Sequence, residues 1–166
     1  MKYIIFILIF FYPLNILASS KQLIKNKLEE TDNISFKFIQ KIGKKTEQGE
    51  CIISYSKKIL CKYDDIYNKI LVSNGRSLVI NSKKIKNYLR YQLKDTPLDL
   101  ILDKKFLLDK LDQVETIEEN DETFSFKILH NNNLLNIFFD KISYEIIGWT
   151  TTDIYLNKVE TKLSNV

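Results

Sequence analysis

The stretch Ile70-Leu71-Val72-Ser73-Asn74-Gly75-Arg76-Ser77-Leu78 decides the fold. An apolar run meets Asn-Gly, and apolar sequence resumes at Leu78-Val79-Ile80 within a second strand segment, 76–81. Asn-Gly is a hairpin signal because both central residues of a type I′ turn need positive φ. Period-two alternation sends Ile70, Val72 and Val79 to one face and Leu71, Leu78 and Ile80 to the other. With both faces apolar, this hairpin is expected to be covered on two sides.

Reading outward, upstream comes a second hairpin, residues 47–55 and 59–63, carrying Cys51 and Cys61. A three-residue loop at Tyr55-Ser56-Lys57 places the cysteines opposite one another; a two-residue loop puts them on opposite faces. Export permits a disulfide; the alternative is two small buried hydrophobes. Before this hairpin, Ile34, Phe36, Phe38, Gln40 and Ile42 alternate with more polar positions, the pattern of a strand with one apolar face. Residues 21–30 form an amphipathic helix with Leu23, Ile24 and Leu28 on one side.

Downstream, residues 85–91 read as a strand. Thr96-Pro97-Leu98-Asp99 then reads as a helix start, with Thr96 as cap and Pro97 at the first position. Leu98, Ile101 and Leu102 make one stripe, and Phe106, Leu107, Leu108 and Leu111 continue as a second short helix or turn. Strands return at 113–118, 123–129, 134–140, 144–151 and 154–160. About ten short strands with tight turns predict a curled antiparallel meander, mainly β with helices, in the α+β class.

Lys2, the apolar run 3–12, the break at Pro13 and Asn15, and the small residues Ala18, Ser19 and Ser20 read as a signal peptide over residues 1–19. The run is shorter than the about 20 residues of a spanning helix. Residues 20–166 are then expected to be a single exported domain, unlipidated because no cysteine lies near the cleavage point.

The chain has 28% charged and 45% hydrophobic residues, a globular balance rather than a disordered one. A net charge of +4, with lysines spread along the chain, argues against a nucleic-acid face. One histidine and two cysteines are too few for a structural zinc. No nucleophile elbow, phosphate loop or dinucleotide fingerprint is present, so neither an enzyme nor a cofactor is predicted. His130 reads as a surface residue in a polar turn, and Asp64-Asp65 as a solvated turn pair. What remains is an apolar surplus, including Phe36, Phe38, Phe124, Phe126, Phe138 and Phe139. Periodicity does not separate a filled core from a ligand cavity.

The order of motifs resembles the LolA family of periplasmic lipoprotein carriers. Phe38-Ile39-Gln40 is similar to the family's Phe-x-Gln near the end of its first strand, and Gly49-Glu50 to its next hairpin. Residues 70–78 resemble its apolar strand, Ser-Asp-Gly turn and Lys-Thr-Leu continuation, with Asn74 in place of aspartate. Thr96-Pro97-Leu98 with Ile101-Leu102 resembles its Thr-Pro-x-x-Leu-Leu helix; Gly148-Trp149 and Asp153 are similar to its late strand pair. The resemblance implies an unclosed β-barrel covered by an N-terminal helix and a central helical lid. It implies a carrier, acting as a monomer, for acylated lipoproteins, taken from an inner-membrane ABC transporter to an outer-membrane receptor. Its cavity and lid would be lined by Phe36, Phe38, Val72, Leu78, Leu98, Ile101, Leu102 and Phe126. Other readings are a binder of a different amphiphile, or a LolB-like receptor lacking its anchor. The family's Arg-Pro pair in the cysteine hairpin is missing: Tyr55-Ser56-Lys57-Lys58 stands there. The Tyr55 hydroxyl or Lys57 would then hold the lid, or the lid is looser.

Overall fold

A computed structural model describes residues 19–55, 57–130, 133–153 and 157–166. Residues 1–18 of the expected leader, Ser56 of the expected hairpin loop, Asn131-Asn132 of the expected polar turn and the expected strand start at Ile154 lie outside the described residues. The chain begins with α1 (Ser20–Glu30), whose first turn is capped by Ser19: its side chain accepts a hydrogen bond from the Gln22 N–H. Ile24 and Leu28, four residues apart, are buried beneath it.

Two meanders follow. The first is β1 (Asn33–Ile42), β2 (Lys45–Ser54), β3 (Lys58–Tyr63), β4 (Ile70–Asn74), β5 (Ser77–Asn81) and β6 (Leu89–Gln92). The second is β7 (Glu118–Glu119), β8 (Thr123–His130), β9 (Asn133–Asp140), β10 (Ile146–Thr152) and β11 (Lys158–Ser164). Antiparallel pairing of β1 with β11 joins them into one eleven-stranded sheet, ordered β6-β5-β4-β3-β2-β1-β11-β10-β9-β8-β7. The edges β6 and β7 do not pair with each other, so the barrel is unclosed. This is the α+β architecture expected from the sequence.

The connection between those edges is the helical insert. It comprises a 3₁₀ turn (Leu93–Asp95), α2 (Leu98–Ile101) and α3 (Lys104–Gln113). Leu93, Ile101, Leu102, Leu107 and Leu111 are buried in the same core as the inward side chains of the sheet. Lysines fasten the helices to one another. The Lys21 ammonium donates to the Asp112 and Val114 carbonyls at the end of α3, and Lys104 to the Glu29 and Thr31 carbonyls at the end of α1. Each cation satisfies carbonyls that a helix end leaves without partners.

Several expectations are corrected. Ser73 pairs with Leu78, leaving a four-residue loop; Gly75 has φ +92°, but Asn74 is not in the left-handed region. Asn74 acts through its side chain, whose Oδ1 accepts the Arg76 and Ser77 N–H groups. The hairpin is covered on one face: Leu71, Ser73 and Leu78 are buried and Val72 is exposed. Residues 85–88 are not strand: the chain turns ahead of them, where the Lys83 N–H bonds the Tyr67 carbonyl and the Ser82 hydroxyl takes the Lys84 N–H, and the Ile85 N–H bends back to the Ser82 carbonyl. Residues 113–118 form a strand only at Glu118–Glu119, since α3 runs on to Gln113. The last strand lies later than expected, at Lys158–Ser164. Thr96 does not cap α2 with its side chain; its hydroxyl donates to the Leu93 carbonyl, and Pro97 is already helical. His130 is not a bare surface residue, for its ring meets Phe106 of α3 edge-on at 5.2 Å.

Candidate functional site

Sheet register builds the site in rows. On the concave face, Phe36, Cys51, Cys61, Leu71 and Ile80 stand side by side across β1 to β5. A parallel row runs Ile34, Ile53, Ile59, Ser73, Leu78 and Tyr91. Cys51 and Cys61 are joined by a disulfide in the first row. The next residues along each strand form the outer row Ser35, Ile52, Leu60, Val72, Val79 and Arg90, which faces away.

The concave rows and α2 enclose a cavity of about 260 Å³. Phe36, Phe38, Leu71 and Leu78 wall it from the sheet, Leu98 and Ile101 from α2, and Trp149 and Val159 from the far meander. Trp149 meets Phe36 edge-on, ring centroids 6.3 Å apart. A stack of polar groups closes one side: Tyr63 meets Phe38 edge-on at 5.1 Å, and the Lys69 ammonium lies 3.6 Å from the Tyr63 ring. Glu47 pairs with Lys69 and with Lys45. Burial works against the Glu47 carboxylate, but the two ammonium groups outweigh it and hold its pKa below the usual value. Burial pushes the Tyr63 hydroxyl well above the usual tyrosine value, so it is neutral.

A larger cleft of about 380 Å³ lies at the end of α1. Lys27, Glu30, Asp32, Asn33 and Glu145 line much of it. It lacks the continuous apolar wall of the concave cavity, which is the better ligand site on chemical grounds despite its smaller volume.

The lid is tied down at one point. Lys57, in the cysteine-hairpin turn with φ +63°, places Nζ 2.9 Å from Asp99 Oδ1 on α2 and 3.0 Å from Asp103 Oδ2, the cap of α3. Partial burial pulls the Lys57 pKa down, and the two carboxylates more than reverse this, leaving it raised. The Tyr55 hydroxyl is buried with no hydrogen-bond partner among the described residues, so it does not hold the lid.

Of the eight expected lining residues, Phe36, Phe38, Leu78, Leu98 and Ile101 come together around the cavity. Leu102 and Phe126 are buried deeper; Phe126 stacks on Phe139 at 5.8 Å. Val72 stands on the outer face, 40% exposed, in the row of Ile52 and Leu60. Tyr63, Tyr91, Trp149 and Val159 line the cavity without having been expected there, although strand alternation was available to place them. Asp99 carried only a helix-start signal, and Asp103 was not singled out. Among the described residues no group of three or more His, Cys, Asp or Glu could hold a metal ion.

The family described as outer membrane lipoprotein carrier protein LolA matches residues 29–166. No curated protein matches the sequence. Among solved structures, a LolA superfamily protein from Nitrosomonas europaea is 8% identical, with 89% of this chain and 93% of that one covered and a TM-score of 0.46. LprF from Mycobacterium bovis is 10% identical, with 88% and 91% covered and a TM-score of 0.44. A DUF1329 family protein from Desulfovibrio piger is 10% identical, with 88% and 90% covered and a TM-score of 0.44.

Proposed function

Because the chain belongs to the LolA family of outer membrane lipoprotein carrier proteins, we propose that it is exported to the periplasm and carries lipoproteins through it, sheltering their acyl chains under the helical lid. The observation that supports this most is the apolar cavity between the concave sheet and α2, with Leu98 and Ile101 on the lid facing Phe36 and Phe38 on the sheet. Transfer through water is an area problem. Each exposed CH₂ costs about 0.8 kcal/mol, so a lipid anchor leaves a membrane only when an apolar wall replaces it. No bond is made or broken, and neither a catalyst nor a cofactor is required. On this reading an inner-membrane ABC transporter loads the carrier and an outer-membrane receptor unloads it.

At about 260 Å³ the cavity falls below the usual ligand range of roughly 300–1,000 Å³. Loading therefore requires the lid to lift from the sheet. The Lys57 contact to Asp99 and Asp103 is the polar tie that must then yield. The same small volume favours a second reading, a carrier for a smaller amphiphile with a single chain.

The test supplies ATP and the purified protein to inner-membrane vesicles bearing the transporter and a labelled lipoprotein. Soluble one-to-one complexes, formed only with both additions, are expected. Lipoprotein that stays in the membrane beside a working transporter would overturn the carrier reading. Native mass spectrometry of the protein as purified then separates the second reading, which requires a bound single-chain lipid.

A further inference from the structure

Residues 66–94 contain seven Lys or Arg and no Asp or Glu. The whole chain carries only +4, so everything outside this segment is net acidic. Five of these cations, Lys83, Lys84, Lys86, Arg90 and Lys94, are exposed on β6 and the residues flanking it. Several lysines elsewhere are matched to acids: Lys25 to Asp112, Lys57 to Asp99, Lys104 to Asp32 and Lys141 to Glu119. Among the described residues none of the five belongs to an ion pair. Arg90 donates to the Ser77 hydroxyl. Asp65, near this edge, directs a carboxylate oxygen to the N–H groups of Tyr67 and Lys69 within its own loop.

The same edge exposes large apolar groups. Tyr88 is 62% exposed, Leu89 45% and Ile66 83%. The loop bearing Ile66 is fastened to the β6 approach by the Lys83 N–H on the Tyr67 carbonyl, 2.8 Å, and by Lys84 over the Tyr67 ring. Tyr91 on β6 also lines the concave cavity, so this basic, aromatic edge borders the ligand site.

Cations on an edge strand discourage strand-to-strand association, but that role does not call for exposed Tyr and Leu beside them. An acidic protein partner would match the charge and leave the apolar tips unexplained. A bilayer matches both. Tyr rings settle at headgroup depth and Leu beneath it, while Lys and Arg are drawn to anionic headgroups. We propose that the β6 edge, from Lys83 to Lys94 with Ile66 beside it, is a docking surface for an anionic phospholipid bilayer, bringing the cavity against the lipid. Docking involves the empty protein and needs no cargo, so it stands or falls apart from the carrier reading.

The test is sedimentation of the purified protein with vesicles of phosphatidylcholine mixed with phosphatidylglycerol, against phosphatidylcholine alone. Binding only to the mixed vesicles is expected, fading as salt is raised. Each cation at such a surface contributes roughly fivefold in partitioning, so Lys83→Gln with Lys84→Gln and Lys86→Gln should weaken binding roughly a hundredfold. The matched control, Lys37→Gln with Lys41→Gln and Lys62→Gln, removes the same charge from exposed positions outside this edge and should retain far more of it. Tyr88→Ser should weaken binding without changing its salt dependence. No binding to the mixed vesicles, or equal losses in the two triple variants, would overturn the proposal. The first outcome would turn attention to an acidic protein partner, and the second to unspecific net charge.

Discussion

Lys57 Nζ stands 2.9 Å from Asp99 Oδ1, bridging a hairpin turn of the sheet to the helix that roofs the cavity. Asp103 shares the same ammonium at 3.0 Å, so one cation holds the start of α2 and the cap of α3 together. The three side chains are each about a fifth to a third exposed, so solvent screens the tie and its stabilisation is modest, about 1 kcal/mol or less.

Lys57→Met is therefore expected to change stability little and lid motion more. Amide exchange across α2 should quicken, and a fluorescent fatty acid should enter the cavity several-fold faster. The pH dependence follows from the sign of the shift. A lysine with its pKa raised on folding contributes fully below the ordinary value of 10.5 and loses its contribution only as pH climbs through the raised one. Wild-type lid exchange, corrected for intrinsic chemistry, should not respond to Lys57 titration between neutrality and mild alkali. Uptake rates identical in Lys57→Met and wild type would remove Lys57 from the lid.

Leu98 and Val72 make a matched pair for the cavity. Leu98 is half-buried on the roof of the cavity, and Val72 is 40% exposed on the outer face. Replacing each with glutamine should separate them. Leu98→Gln gives up about 1.5 kcal/mol or more of apolar contact with a bound chain, about tenfold in affinity, whereas Val72→Gln leaves affinity unchanged. A fluorescent fatty-acid titration reads both; equal losses would place the site elsewhere.

The contrast between these residues shows what was legible in the sequence. Alternation sorted Val72 from Leu78 correctly, but both faces of that hairpin are apolar, and only the register with β3 reveals which one turns inward. The N-terminal helix and the strands around Phe36 and Phe126 were readable because one face is apolar and the other polar. Residues 85–88 looked like strand by composition, yet the chain turns just before them, where the Lys83 N–H is drawn to the Tyr67 carbonyl, a partner that no local window contains, and the Ile85 N–H bends back to the Ser82 carbonyl. The Lys57 tie spans 42 residues to Asp99. Such a pairing leaves no periodic trace, so the missing arginine was visible in the sequence and its substitute's partners were not.

Gly49 sits where β2 passes closest to β3. A Cβ built there would lie 2.1 Å from the Lys62 carbonyl oxygen, a backbone atom that cannot move aside alone. Gly49→Ala is expected to destabilise the protein by about 1–3 kcal/mol or more through strand displacement, seen as a lower denaturation midpoint. An unchanged midpoint would mean that the β2–β3 spacing is wider than described.

Tyr55 presents the opposite case. Its hydroxyl is buried without a hydrogen-bond partner among the described residues, and burial drives its pKa far above the usual tyrosine value. Tyr55→Phe keeps the ring and discards the orphan group, whose desolvation costs roughly 1–3 kcal/mol. The variant should be as stable as wild type or more so. A loss of stability would reveal a hydroxyl partner, such as a trapped water.

Glu47 sets the acid limit of the polar wall. Its pKa is lowered on folding by Lys45 and Lys69, against the opposing effect of burial. A carboxylate with a depressed pKa contributes stability above its ordinary value of 4.5 and loses it as pH falls through the folded value. The Lys69 ammonium would then face the Tyr63 ring without its counter-ion, and Lys69 is already pushed down by burial. Wild type should lose stability as pH drops below about 4.5, and Glu47→Gln should flatten that part of the curve while lowering the neutral plateau by about 1 kcal/mol. Urea midpoints collected across the acid range for both proteins give the comparison. Parallel acid limbs would assign acid sensitivity to other carboxylates and leave the Glu47–Lys69 pair without a measurable part in stability.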